Sequence, residues 1–173
     1  MEQAWADRRH GRSHHARQKL DEAVAVARRS ENQRELAAAL GKLAQVEQEA
    51  GDSDKARLLF EEAVAAAREE GEPMMLAYTL RHLGDFYRRT GRLKEAEPSL
   101  GEALSLYRGH TGIAPLVLAN AVRSMAVFQE ERGLSGQSAR LWEEALGLYR
   151  SADVQEAVEE CRARLSALPD SDR

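Results

Sequence analysis

The 173-residue chain has one cysteine, Cys161, only four prolines, and an aromatic content of just 5%. A lone cysteine excludes an internal disulfide and fits a reducing compartment. Cys161 sits among Glu159, Glu160 and Arg162, a setting that does not make a reactive thiolate. Scarce proline leaves few helix breakers, and scarce aromatics argue against a sheet sandwich. No stretch approaches the roughly 18 apolar residues of a membrane span. The N-terminus, with Glu2, Asp7, Arg8 and Arg9, lacks the apolar core of a secretory signal. A cytoplasmic protein without membrane contact is expected.

A sustained charge of one sign is missing too. The formal net charge is −4. Residues 1–30 carry seven basic against four acidic side chains, a net of +3, and residues 130–173 carry six against ten, a net of −4. That gradient is too mild for the basic stripe of a nucleic-acid binder. What dominates instead is alanine, leucine, glutamate and arginine, the residues of helices.

Within that helical background the motif Glu-Ala-[Val/Leu]-x-x-x-Arg occurs four times. It starts at Glu22, Glu62, Glu102 and Glu144 and ends at Arg28, Arg68, Arg108 and Arg150, at intervals of 40, 40 and 42 residues. A period in this range marks a stacked repeat architecture. Gly11, Gly51, Gly91 and Gly133 run in step with it, each expected to end one amphipathic stretch and precede another. After each glycine come Ala16, Ala56, Ala96 and Ser138, then Leu20, Phe60, Leu100 and Trp142, then Ala23, Ala63, Ala103 and Ala145. This i, i+4, i+7 spacing is one helical face.

The stretch before the glycine repeats as well: Leu36, Leu76 and Leu118; Leu40, Leu80 and Val122; Ala44, Gly84 and Ala126. Each unit is therefore a helical hairpin of a first (A) and a second (B) helix around a glycine turn. The pattern predicts B helices over 12–29, 53–70, 92–108 and 135–150, with A helices over 32–49, 73–89 and 113–131. A last helix over 153–167 has no B partner and is expected to cap the stack. Residues 1–10 would hold a truncated A helix with Trp5 covering that end, and residues 169–173 are expected to fray. The organisation expected is one domain over 1–168, with a partial repeat at 1–30, repeats at 31–70, 71–112 and 113–151, and the cap.

The segment Leu80-x-x-Leu83-Gly84-x-x-Tyr87-x-x-x-Gly91-x-x-x-x-Ala96-x-x-x-Leu100-x-x-Ala103 resembles a tetratricopeptide repeat. Glu95-Ala96-Glu97-Pro98…Ala103-Leu104, together with the 40–42-residue period, is similar to the longer repeats of kinesin light chains, where a proline inside the B helix is usual. The tyrosine column departs, reading Glu47, Tyr87 and Gln129. The resemblance implies an all-α, right-handed solenoid of stacked antiparallel helix pairs. It also implies a non-catalytic scaffold that binds a protein or peptide segment in a concave groove lined by the A helices.

Outward positions between the core columns supply the candidates for that groove: Lys42, Gln45 and Gln48; Tyr78, Arg81, Asp85 and Arg88; Asn120, Arg123 and Val127. Arg81 and Arg123 fall at one repeat position, so two guanidinium forks on one wall could grip an acidic group. Gln45, Gln48 and Asn120 could bond an extended backbone. The structural alternative is a solvated charge ladder at Arg81, Asp85 and Arg88, adding a few tenths of a kcal/mol. The Lys and Asn pairs that chaperone-tail-binding members use as a carboxylate clamp are absent.

The recurring Arg28, Arg68, Arg108 and Arg150 fit helix C-termini, where a cation meets the negative end of the dipole. Among His10, His14 and His15 the expected state is a solvated turn, because Gly11 intervenes and Asp7 is the only close carboxylate. His82 and His110 stand apart in the sequence. No nucleophile–base pair or phosphate-cradling glycine loop is present, and the Glu-Glu pairs are sequence neighbours pointing about 100° apart. No enzyme, metal or cofactor is expected. The competing readings are a self-associating module, through apolar residues of the 153–167 helix, and a regulatory arm of a larger signalling or transcription-regulator protein.

Overall fold

The computed structural model describes residues 2–168, with side chains from residue 14 onward. All secondary structure among the described residues is helical. The helices are α1 (Glu2–Arg29), α2 (Gln33–Glu49), α3 (Ser53–Glu70), α4 (Pro73–Arg89), α5 (Leu93–Gly109), α6 (Pro115–Glu131), α7 (Ser135–Ser151) and α8 (Gln155–Ala167). Their bounds follow local chemistry. The carboxylate of Asp52 accepts from Lys55 N–H at 3.0 Å and caps α3, and Asn32 does the same for α2 through Glu35 N–H. Between A and B helices the chain turns through Gly51, Gly91 and Gly133 at φ 86°, 76° and 73°, a conformation that strains any side chain with a Cβ. Pro115 occupies the first turn of α6, where an amide N–H has no intrahelical acceptor.

One predicted turn does not exist. α1 runs unbroken from Glu2 to Arg29, so Gly11 lies inside a helix and no truncated A helix precedes it. Ten residues are too short to form a stable packing partner. A break would also strand several N–H and C=O groups, against roughly 1 kcal/mol for one helical glycine. The side chains of Trp5 and His10 and residues 169–173 lie outside the described residues.

The helices form two compact units, Met1–Leu83 and Gly84–Arg173. In the first, Val24 of α1, Ala39, Leu40 and Leu43 of α2 and Ala63 of α3 make one core cluster, with Leu20, Leu36 and Leu59 against it. A second cluster joins Ala37 to Ala66 and Ala67, with Met75 and Leu76 of α4 packed on it. Each fully buried leucine or phenylalanine contributes about 2 kcal/mol of apolar transfer.

In the second unit the buried set includes Phe86, Leu100, Tyr107, Val122, Phe128, Trp142, Tyr149, Val158 and Cys161. A Cβ added to Gly84 would lie 2.6 Å from Leu100 Cγ, so glycine is what lets α4 approach α5 this closely. Pro98 lies inside α5, as the family resemblance implies. Trp142 Nε1–H donates to Glu130 at 3.1 Å, and Arg164 of α8 donates to the same carboxylate at 2.9 Å.

The departing tyrosine column is built three ways. Glu47 is only 2% exposed and accepts from Arg17 Nε and Nη2 at 2.8 and 2.7 Å and from Lys55 Nζ at 2.6 Å. The Arg17 bonds, then that of Lys55, hold its carboxyl below the usual range against the opposing effect of burial. Tyr87 is instead covered by the Arg92 guanidinium, 4.9 Å from its ring centroid. The half-buried Gln129 donates weakly to Met125 Sδ at 3.8 Å.

Candidate functional site

The A helices carry two side-chain clusters, one in each unit. In the first unit α2 and α4 bring Gln45, Tyr78 and Arg81 together around His82. The Gln45 amide lies 3.4 Å from His82 Nδ1, and Arg81 Nη2 lies 3.0 Å from His82 Nε2. A guanidinium only donates, so Nε2 is the acceptor in the Arg81 contact. Tyr78 meets the imidazole edge to face with centroids 4.4 Å apart, and Arg81 Cζ lies 5.7 Å from the tyrosine centroid. Despite these contacts Tyr78 remains 44% exposed, while its neighbours Ala77, Thr79 and Leu80 are buried. Lys42 is exposed on α2 and Gln48 is half-buried; neither joins the cluster.

In the second unit α6, α7 and α8 surround a cavity of about 410 Å³ lined by Leu116, Asn120, Arg123, Tyr149, Ala157 and Glu160, among others. Tyr149 O–H donates to Asn120 Oδ1 at 2.8 Å, which leaves the amide nitrogen of Asn120 as its donor. Arg123 is gripped by Glu160 in a bidentate pair at 2.8 and 2.6 Å, and that carboxylate raises the guanidinium above its usual value. Asp85 accepts from Ser124 O–H at 2.9 Å, and Arg88 pairs with Glu131 at 2.5 Å. Val127 is half-buried.

Of the two arginines expected to act as a pair, Arg81 contacts the His82 ring and Arg123 is held by the Glu160 carboxylate. Sequence reasoning missed His82, Ser124, Tyr149 and Glu160. Spacing could have found two of them, since Gln45 to His82 and Arg123 to Glu160 both span 37 residues, one repeat less a helical turn. His82 is accordingly no isolated histidine but the hub of its cluster. The arginine column also does more than finish helices. Arg28 and Arg108 lie in last turns as expected, and each reaches the glutamate of the following motif, Glu62 at 2.5 Å and Glu144 at 2.6 Å.

Among the described residues no group of three His, Cys, Asp or Glu side chains is placed to hold a metal, and no helix is long and apolar enough to cross a membrane. Cys161 is buried, and burial pushes its thiol up.

In comparison with known proteins, family models described as tetratricopeptide repeat match residues 4–69 and 76–113. No curated protein matches the chain. Among solved structures, BtubC (BKLC) from P. vanneervenii is similar over 96% of this chain and 79% of its own, with a TM-score of 0.72 at 18% identity. A kinesin-light-chain-like protein of P. anserina with nearly identical TPR-like repeats is similar over 96% of this chain and 91% of its own, with a TM-score of 0.66 at 17% identity. At such identities the likeness is one of fold, the all-α repeat solenoid. Columns of small and large residues, the helical hairpins and both matched segments agree, and the chain belongs to the tetratricopeptide repeat family.

Proposed function

We propose that the chain is a non-catalytic scaffold, working as one array over residues 1–168, that binds a protein or peptide segment along its A helices. Tetratricopeptide repeats are in general protein-interaction modules, which supports the class. The observation that carries the site is Tyr78. An aromatic ring 44% exposed, set against His82 and Arg81, is a rigid anchor of the kind that dominates interface energetics. Lys42, exposed on the neighbouring A helix α2, supplies a cation for an acidic group of the partner. Arg123 is a poorer choice for that group, because Glu160 already holds it. Gln45 and Gln48 in the first unit would bond the backbone of an extended segment, and in the second unit Asn120 would do so, with Asp85, Arg88 and Val127 as further candidates.

The test is a library of acidic and neutral peptides screened against the chain and against Tyr78→Ala and Lys42→Glu. Tyr78→Ala should weaken the best binders about tenfold or more, and Lys42→Glu should act selectively on acidic ones. Binders indifferent to both substitutions would place the ligand elsewhere.

A further inference from the structure

α1 and α8 each present a face that no described helix covers. α1 is a B helix: Ala16, Leu20 and Ala23 stand in the columns of Ala56, Phe60 and Ala63. Those three are at most 2% exposed, whereas Ala23 is exposed and Ala16 and Leu20 are only half-buried. α8 is an A helix. Asp153 (φ 56°) repeats the left-handed turn that Glu31 (φ 52°) makes before α2, and Val158 N–H donates to Val154 O as Leu36 N–H does to Asn32 O. In this register Glu159, Arg162 and Ser166 replace the buried Ala37, Leu40 and Ala44, and all three are exposed. Among the described residues, the A face of α8 thus has no B helix on it and the B face of α1 has no A helix.

Charge and the Glu–Arg ladder make these faces complementary. Lys19 lies on the open face of α1, one turn from Ala16 and Ala23, within a segment of net charge +3 over residues 1–30. Glu156 and Glu159 flank the open face of α8, within a segment of net charge −4 over residues 130–173. The ladder joins the arginine of one motif to the glutamate of the next, as in Arg28 to Glu62 and Arg108 to Glu144. It leaves a glutamate at its start and an arginine at its finish. Glu22 and Arg150 are both exposed, and neither has an ion-pair partner among the described residues.

From these observations we infer that a second copy of the chain docks head to tail, its α1 against α8 of the first. Lys19 then faces Glu156 and Glu159, and Arg150 of one copy meets Glu22 of the next, adding a rung to the ladder. The interface is heterologous, so each added copy presents the same free surfaces and growth does not stop at a dimer. With Glu159, Arg162 and Ser166 in place of apolar residues, the contact is electrostatic, reversible and salt-sensitive. It does not depend on the A-helix ligand site.

Light scattering and sedimentation velocity of the 173-residue chain across a concentration series test this. The mean mass should rise past the dimer and fall toward the monomer in about 0.5 M salt. Glu156→Lys with Glu159→Lys changes only exposed residues, so helix content by circular dichroism should hold while association weakens about tenfold. Adding Lys19→Glu to that chain should restore it. Arg150→Glu or Glu22→Arg alone should weaken association about threefold, and the chain carrying both should recover. A monomer at every concentration, a mass that stops at the dimer, or association indifferent to these reversals overturns the inference.

Discussion

The two units place their ions in opposite places. The first keeps a buried charge in the tyrosine column, where Arg17 and Lys55 share Glu47, and joins its A helices through the Gln45–His82 contact. The second fills the tyrosine column with Tyr87 and Gln129 and joins α6 to α8 through the Arg123–Glu160 ion pair. Both A-to-A contacts span 37 residues, so the scaffold sets where side chains meet and the residue at each position sets the chemistry. Charge can therefore sit at different repeat positions in the two units on the same helical-hairpin scaffold.

Removing the buried acid should have the largest effect. Glu47→Ala leaves Arg17 and Lys55 without their shared acceptor and is expected to cost about 2–3 kcal/mol in urea unfolding; the partial exposure of both cations keeps it below the cost of a fully buried pair. A loss under about 0.5 kcal/mol would show that the triad is no support of the first unit.

Acid should expose the same contrast. The Glu47 carboxyl is lowered in the fold, so its contribution is complete above the usual carboxylate range and is lost as pH falls through the lower folded value. Stability measured against pH should therefore drop on that side, and Glu47→Gln should remove this component. An unchanged profile in the variant would assign the acid loss to other groups.

A smaller effect is expected at the ion pair between α6 and α8. Arg123 and Glu160 are 40% and 30% exposed, so Arg123→Ala should cost only about 0.5–1 kcal/mol, and less in high salt. Its clearer signature is faster amide exchange in α8. Protection of α8 equal to that of the unaltered chain would contradict the role given to the pair. Least of all, Gln45→Ala should stay within about 0.5 kcal/mol, because a half-exposed contact at 3.4 Å is readily replaced by water.

Much of the scaffold was readable without coordinates. The ends of α3 and α4 follow from Asp52 and Pro73, which act on their own helix turn. The buried columns follow from spacing, because a repeated helical face must meet the same neighbour in each unit. Gly11 misled for the converse reason: the residue is right for a turn, but no full-length helix precedes it for the turn to serve. Glu47 looked like a loose match to a tyrosine column, and its partners Arg17 and Lys55 sit on two other helices. His82 looked solitary because Gln45 is 37 residues away.

The repeat, the helical hairpins and the family were determined by the sequence alone, since periodicity, glycine turns and caps act over a few residues and recur. Whether Arg123 faces a ligand or Glu160, and whether Glu47 is exposed or locked between two cations, was decided only by the tertiary structure. Those outcomes depend on which side chains from helices 30 to 40 residues apart arrive within hydrogen-bond distance.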